Sequence, residues 1–181
     1  KYNLNPNLFQ LLFVGNGYRR KGLKYLLHSL SRIEDKNFQL VVLGKDKEIS
    51  YYKRLACKLS LENQVLFLGE VSSLTPFYQL ADCLVIPSLY DPFANVTVEA
   101  LAMGVYVLTS FFNGGKEVLT PFSGAIIPDL FCSRTFSDSL REAMAYKKTQ
   151  ESSCSIRNSV ENLDYQLQMD EMIKLSMEQK A

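Results

Sequence analysis

Short apolar runs alternate with stretches of helical spacing along almost the whole chain. Residues 8–15 (LFQLLFVG) form an apolar run ending in glycine and predict a buried strand. Residues 21–33 follow with apolar side chains at 23, 26, 27, 30 and 33, the spacing of a helix. A second strand is predicted at 38–44 (FQLVVLG), and a helix at 49–61 with Tyr52, Leu55, Ala56 and Leu59 on one face. A third strand is expected at 64–69, then a short helix at 73–81 interrupted near its start by Pro76, and a fourth strand at 83–88. A helix runs from Val96 to Gly104 with Asn95 as its N-cap. Strands at 105–110 and 123–128 and helices at 135–148 and 162–177 complete the pattern. The polar stretch 148–159 (KTQESSCSIRNS) reads as the most mobile piece.

Continuous apolar strands separated by helices indicate a parallel sheet covered on both faces. Six of them predict an α/β, Rossmann-like, doubly wound parallel sheet. The chain reads as one domain, residues 1–181, without internal linker, repeat or low-complexity segment. In such sheets ligands bind beyond the carboxyl ends of the strands, where strand order reverses. If the order is 3-2-1-4-5-6, the loops after strands one and four meet at that point.

Those two loops, 15–22 (GNGYRRKG) and 87–95 (PSLYDPFAN), carry the most distinctive chemistry. The first sets Gly15, Gly17 and Gly22 around Arg19, Arg20 and Lys21. Its cations stand just before a helix N-terminus, where free N–H groups favour an anion. It is neither a Walker A loop nor GxGxxG, since Arg20 occupies the third glycine position. A solvated basic turn has the same composition. In the second loop, Asp91 precedes a helix whose residues Val96, Val98, Ala100, Leu101, Ala102 and Met103 surround Glu99. A helix apolar all round is expected to be buried, and Glu99 is expected in its first turn. A buried carboxylate needs hydrogen-bond donors, and two ligand hydroxyls would serve. The helix dipole or a lysine partner would serve as well. Asp91-Pro92 is also an ordinary turn opener. Cations for a phosphate, carboxylates for hydroxyls and a helix start between them match a sugar nucleotide.

Composition narrows the field further. The 181 residues are 47% hydrophobic and 22% charged, with a net charge of +1. That balance gives no global case for nucleic-acid binding. No run reaches the roughly 20 apolar residues of a membrane span. No signal segment is visible, and since the chain opens on Lys1 its absence is uninformative. The four cysteines (Cys57, Cys83, Cys132, Cys154) have no metal-ligand or redox spacing, and three fall in apolar settings. They read as reduced thiols of a cytosolic protein. A lone histidine, His28, argues against a histidine-rich metal site or a Ser-His-Asp triad.

At these residues the chain resembles the donor-binding, C-terminal domain of retaining GT-B glycosyltransferases of family 4. Within that family it is most similar to the lipopolysaccharide core glucosyltransferases that add the first glucose to heptose. The main motif is E-x7-E, here Asp91 to Glu99, followed by ALAMGVYVLTS. FVGNGYRRKGL, VVLGKDK, VLFLGEV and LADCLVIPS support it in that order, and the resemblance runs from about Leu11 to Pro128. It implies that Lys21, flanked by Arg20, contacts the donor diphosphate, with the backbone of Asn95 and Val96. Asp91, with the amides of Phe93 and Ala94, would lie at the transferred sugar. Glu99 would hold the ribose, and Gly44 with Gly69 to Val71 the base. The implied catalytic set is Lys21, Arg20, Asp91 and Glu99, with no cofactor and no metal.

The implied substrates are a UDP-sugar donor and a saccharide or glycolipid acceptor. The acceptor domain would precede Lys1, and a helix within 160–181 would pack on it. The implied location is cytoplasmic, extending to the inner face of the cytoplasmic membrane. Three departures from the family pattern stand out: Asp91 for glutamate, Asn16 for a common arginine, and Tyr106 for a common proline. Competing classes are a dinucleotide Rossmann domain and half of a sugar-nucleotide epimerase. Against the dinucleotide class stand the missing GxGxxG and a strand-two end whose acid, Asp46, is a weak candidate.

Overall fold

A computed structural model describes residues 4–146, 148–163 and 169. Six strands form one parallel sheet in the order β3-β2-β1-β4-β5-β6. They are β1 (Phe9–Val14), β2 (Phe38–Leu43), β3 (Val65–Gly69), β4 (Cys83–Ile86), β5 (Tyr106–Ser110) and β6 (Gly124–Ile127). The helices are α1 (Leu23–Ser31), α2 (Ile49–Lys58), α3 (Thr75–Leu80), α4 (Asn95–Ala102), α5 (Ser133–Ala145) and α6 (Gln150–Asn158). This is the doubly wound order expected from the sequence. Each predicted strand lies within a residue or two of its expected span.

The two sides of the sheet follow from alternation along each strand. Leu11 and Phe13 of β1 pack with Leu40 and Val42 of β2 against α1, α2 and α5. Leu12, Val14, Val41 and Leu43 face the other way, toward α3, α4 and α6. Both faces are buried, so the strands read as unbroken apolar runs instead of alternating ones. Helix α1 forms where Leu23, Leu26, Leu27 and Leu30 share one face, and all four are buried. Each such leucine contributes about 1.5–3 kcal/mol relative to an exposed one.

Several local expectations are corrected. Pro76 does not interrupt α3; it sits in the first turn, where a missing N–H costs nothing. Residues 148–159 are not a loose connection but contain α6, opened by a Thr149–Ser152 capping box. Its single buried residue, Ile156, gives too thin an apolar stripe to announce a helix. Of the four cysteines only Cys83 is buried; Cys57 and Cys154 are exposed and Cys132 is half-buried. Apolar neighbours in sequence therefore overstated how many of them are internal. All four thiols are free. Tyr106 packs its ring 4.7 Å from that of Tyr146. Glu161–Leu163 form a 3-10 turn, and apart from residues 162, 163 and 169 the helix expected over 162–177 lies outside the described residues.

Two features draw the β1 loop onto its neighbours. Gly22 has φ 77°, and a Cβ there would stand 1.8 Å from the Pro87 carbonyl oxygen. Tyr18 is fully buried between Phe13 and Tyr52, and its hydroxyl donates to the Gly44 carbonyl at 2.8 Å. Burial, aided by Asp46, pushes the Tyr18 phenol up to about 12, and burial likewise raises Tyr52 to about 12.

Gly22→Ala should therefore destabilise the protein by at least ~2 kcal/mol, since both sterics and φ oppose it; urea unfolding measures this, and an unchanged midpoint would contradict the close approach. The two tyrosines give a second expectation. Their folded pKa lies above the unfolded value of 10.0, so the stability they add is complete below pH 10 and lost as pH rises toward about 12. Phenolate absorbance followed alongside circular dichroism should show a late tyrosine fraction that ionises together with unfolding, not before it.

Candidate functional site

The order of the sheet makes β1 and β4 neighbours, pairing Leu11 with Cys83 and Leu12 with Leu84. Their following loops therefore leave the sheet side by side. The Leu89 N–H donates to the Arg20 carbonyl at 2.8 Å, and the Arg20 guanidinium donates to the Tyr90 carbonyl at 3.0 Å. The Lys21 ammonium reaches Asp91 Oδ2 at 2.5 Å, with Arg20 3.5 Å from the same oxygen. Lys21 is 9% exposed and Asp91 7%. Both ions have given up water to meet, and the attraction must first repay that desolvation. The cations predicted for a diphosphate thus stand beside the carboxylate predicted for a sugar.

The Asp91 loop is fastened from a third side. Asp91 N–H donates to the Phe112 carbonyl, and the Asp91 carbonyl accepts from Gly114 N–H. Asn113 is fully buried behind it. Its Oδ1 accepts from the N–H groups of Gly115 and Ala94, and its Nδ2 donates to Thr109 Oγ1. Gly114 lets this loop pass under Pro92, whose carbonyl oxygen would lie 1.9 Å from an added Cβ. Asn113 and Thr109 were not read as site residues from the sequence. The only signal is the turn-forming Asn-Gly-Gly at 113–115.

Helix α4 begins one residue earlier than expected. Ala94 is the N-cap and Asn95 the first helical residue. No side chain caps this end, because the Ala94 methyl has no acceptor; the Ala94 N–H itself donates to Asn113 of the β5 loop. The N–H groups of Asn95 and Val96 belong to the first turn, which a helix leaves without internal partners. Phe93 is exposed beside them. Glu99 consequently falls in the second turn, and it is exposed instead of buried. The sequence made α4 look apolar all round, but only Thr97, Ala100 and Leu101 are fully packed against the sheet. Its carboxylate Oε2 accepts a 2.8 Å hydrogen bond from the Tyr78 hydroxyl of α3. Burial, with the Glu99 carboxylate beside it, pushes the Tyr78 phenol well above the ordinary tyrosine range, so it stays a neutral donor. Glu99 stands apart from the Lys21–Asp91 pair; no direct contact joins them.

The positions predicted for the base adjoin the β1 loop. Gly44 N–H donates to the Gly69 carbonyl at 2.8 Å, and a Cβ on Gly44 would strike the Gly15 carbonyl. Val71 is half-buried against the α3 and α4 side of the core. Asn16 accepts from the Lys45 N–H at 2.6 Å. Asp46 accepts from the Tyr18 and Glu48 N–H groups at 2.6 Å each. That acid at the end of β2 is engaged in holding loops together. Among the described residues, no group of three His, Cys, Asp or Glu side chains is placed to hold a metal ion. No helix among them is long and apolar enough to cross a membrane. Two cavities of about 610 and 600 Å³ lie elsewhere, one beside Phe9 and Arg141 and the other between α4 and residues 157–163.

A parallel sheet with its charged loops gathered at the strand-order reversal defines a Rossmann-like domain. Residues 1–155 match the family described as glycosyl transferases group 1, and the chain belongs to that family. It is 38% identical over 112 residues to an uncharacterised glycosyltransferase of Methanocaldococcus jannaschii, covering 60% of this chain and 29% of that protein. It is 28% identical over 138 residues to the lipopolysaccharide glucosyltransferase WaaG of Escherichia coli, covering 74% of this chain and 37% of WaaG. The solved structure of WaaG superposes with a TM-score of 0.73 over 84% of this chain and 41% of that one, at 24% identity. Anabaena Alr3699/HepE, solved with UDP, superposes at 0.78 over 94% of this chain and 49% of that one, at 18% identity. The chain thus spans about a third of the curated relatives it matches.

Asn113→Ala removes an acceptor for two buried N–H groups and a donor to Thr109. It should cost about 2–3 kcal/mol in chemical denaturation. Loss of less than ~0.5 kcal/mol would show that the loop does not depend on this amide.

Proposed function

We propose that this chain is the donor-binding, C-terminal domain of a retaining, family 4 glycosyltransferase. It would serve transfer of a hexose, glucose foremost, from a UDP-sugar to a saccharide or glycolipid acceptor such as lipopolysaccharide core. The observation that carries the reading is the meeting of Arg20, Lys21 and Asp91 at the mouth of α4, with Glu99 further along the same helix. WaaG, a relative at 28% identity, is named for glucosyl transfer in lipopolysaccharide synthesis. A structural neighbour is solved with UDP. The acceptor domain would come from a part of the protein that precedes these residues.

On this reading the donor enters a site whose cations already stand in place. Two cations against one carboxylate leave net positive charge for a diphosphate. Its charge displaces Asp91 from Lys21, and the freed carboxylate accepts hydroxyls of the transferred sugar. Glu99 accepts from the ribose, while Gly44, Gly69 and Val71 flank the base. As the bond from C1 to the phosphate oxygen breaks, negative charge grows on the leaving diphosphate and positive charge on the sugar ring. Lys21, Arg20 and the N–H groups of Asn95 and Val96 stabilise the diphosphate without a metal. Asp91 orients hydroxyls and is not assigned as a nucleophile. The donor phosphate is the base for the acceptor hydroxyl, which accounts for retention at C1. Asp46 at the end of β2 accepts from two backbone N–H groups that hold the loops together, and the absent GxGxxG weighs against the dinucleotide reading.

Lys21→Ala in the full-length protein should weaken UDP binding at least ~tenfold by calorimetry. It should lower glucosyl transfer from UDP-glucose by roughly 10²–10³-fold. Unchanged UDP affinity would remove Lys21 from the phosphate site, and tighter binding of GDP- or ADP-sugars would overturn the choice of UDP.

A further inference from the structure

Tyr78 lies on α3, outside both charged loops. Its side chain is 3% exposed and packed among the apolar residues of the α3, α4 and α6 face. Only its hydroxyl matters to the site, because it meets Glu99 Oε2 at 2.8 Å. Glu99 is exposed and belongs to none of the ion pairs among the described residues. An exposed glutamate with no anchor samples many rotamers, and fixing it costs entropy when a ligand binds. A tyrosine ring locked in the core removes that cost beforehand.

The chemistry of the pair is specific. A phenol hydroxyl donates once, whereas an ionised carboxylate accepts at about four positions. Tyr78 occupies one position on Oε2 and leaves Oε1 and the remaining lone pairs open. A ribose presents two adjacent hydroxyl donors, and a 2′-deoxyribose presents one.

We infer that Tyr78 is a positioning residue: it holds the Glu99 carboxylate in the orientation that accepts both ribose hydroxyls, and so selects ribonucleotide over 2′-deoxyribonucleotide donors. This rests on the reading of Glu99 as the ribose-holding residue. A purely structural tyrosine would affect stability but not that selection.

The test compares calorimetric affinities of the full-length protein for UDP and 2′-deoxy-UDP. The unmodified protein should prefer UDP by roughly ten- to hundredfold. Glu99→Gln should abolish most of the preference. Tyr78→Phe keeps the ring and should reduce the preference at least ~threefold, the affinity loss falling more heavily on UDP than on 2′-deoxy-UDP. The double variant should discriminate no worse than Glu99→Gln alone. If Tyr78→Phe keeps the full preference while Glu99→Gln loses it, or if the two losses simply add, Tyr78 does not position Glu99. If Glu99→Gln keeps the preference, or UDP does not bind saturably, the ribose reading itself fails and this inference falls with it.

Discussion

The contact between Lys21 and Asp91 joins two loops that lie seventy residues apart in the chain, and the carboxyl edge of the sheet is organised around it. It exists because β4 returns beside β1, so the turn before α1 and the turn before α4 leave the sheet together. Gly22 supplies the room. With a side chain at that position the β1 loop would ride up off Pro87, and the lysine one residue earlier would lose its reach. Topology brings the charges near each other, and a missing Cβ lets them touch.

An ion pair this poorly hydrated contributes less to stability than its Coulomb attraction suggests, because both ions lose solvation. Its value lies in keeping a cation fixed where a flexible lysine would otherwise spread over many rotamers. The carboxylate is fixed in turn by the β5 loop, through backbone bonds to Phe112 and Gly114 and the buried Asn113 behind them. The loops after three neighbouring strands, β1, β4 and β5, thus contribute to one small charged cluster. On the proposed reading, a diphosphate would meet a lysine already held in place and would take it over from Asp91.

The architecture was legible in the sequence because its signals are local and repeated. Strands such as FQLVVL are apolar on both faces, and leucines at helical spacing follow them, so each βα unit announces itself. Which loops meet was legible once strand order was assumed, since order alone decides it. Side-chain partners across the fold were not legible. Nothing near Glu99 in sequence identifies Tyr78, twenty-one residues away on another helix. Nothing in an Asn-Gly-Gly turn says that the asparagine is buried and feeds three partners. The burial of α4 was overestimated for a related reason. Composition counts apolar residues, but only the packing of α4 on the sheet decides which of them turn inward. Helix α6 was missed because its stability comes from capping and one isoleucine, and no apolar stripe marks it.

Asp91 is where this chain differs most from the glutamate of the motif it resembles, and its surroundings give the difference a physical meaning. A carboxylate one methylene shorter stays closer to its own backbone. That backbone is pinned to Phe112 and Gly114, so the carboxylate is held inside the loop at 7% exposure, against Lys21. A glutamate on the same backbone would carry its oxygens further toward solvent and toward a bound sugar. The shorter acid therefore favours the resting pair with lysine over reach. On the proposed reading, donor binding would then have to do more to part the two ions, and the sugar would have to come closer to the loop to be held. On that reading, affinity for the diphosphate and grip on the sugar would be coupled through this one residue.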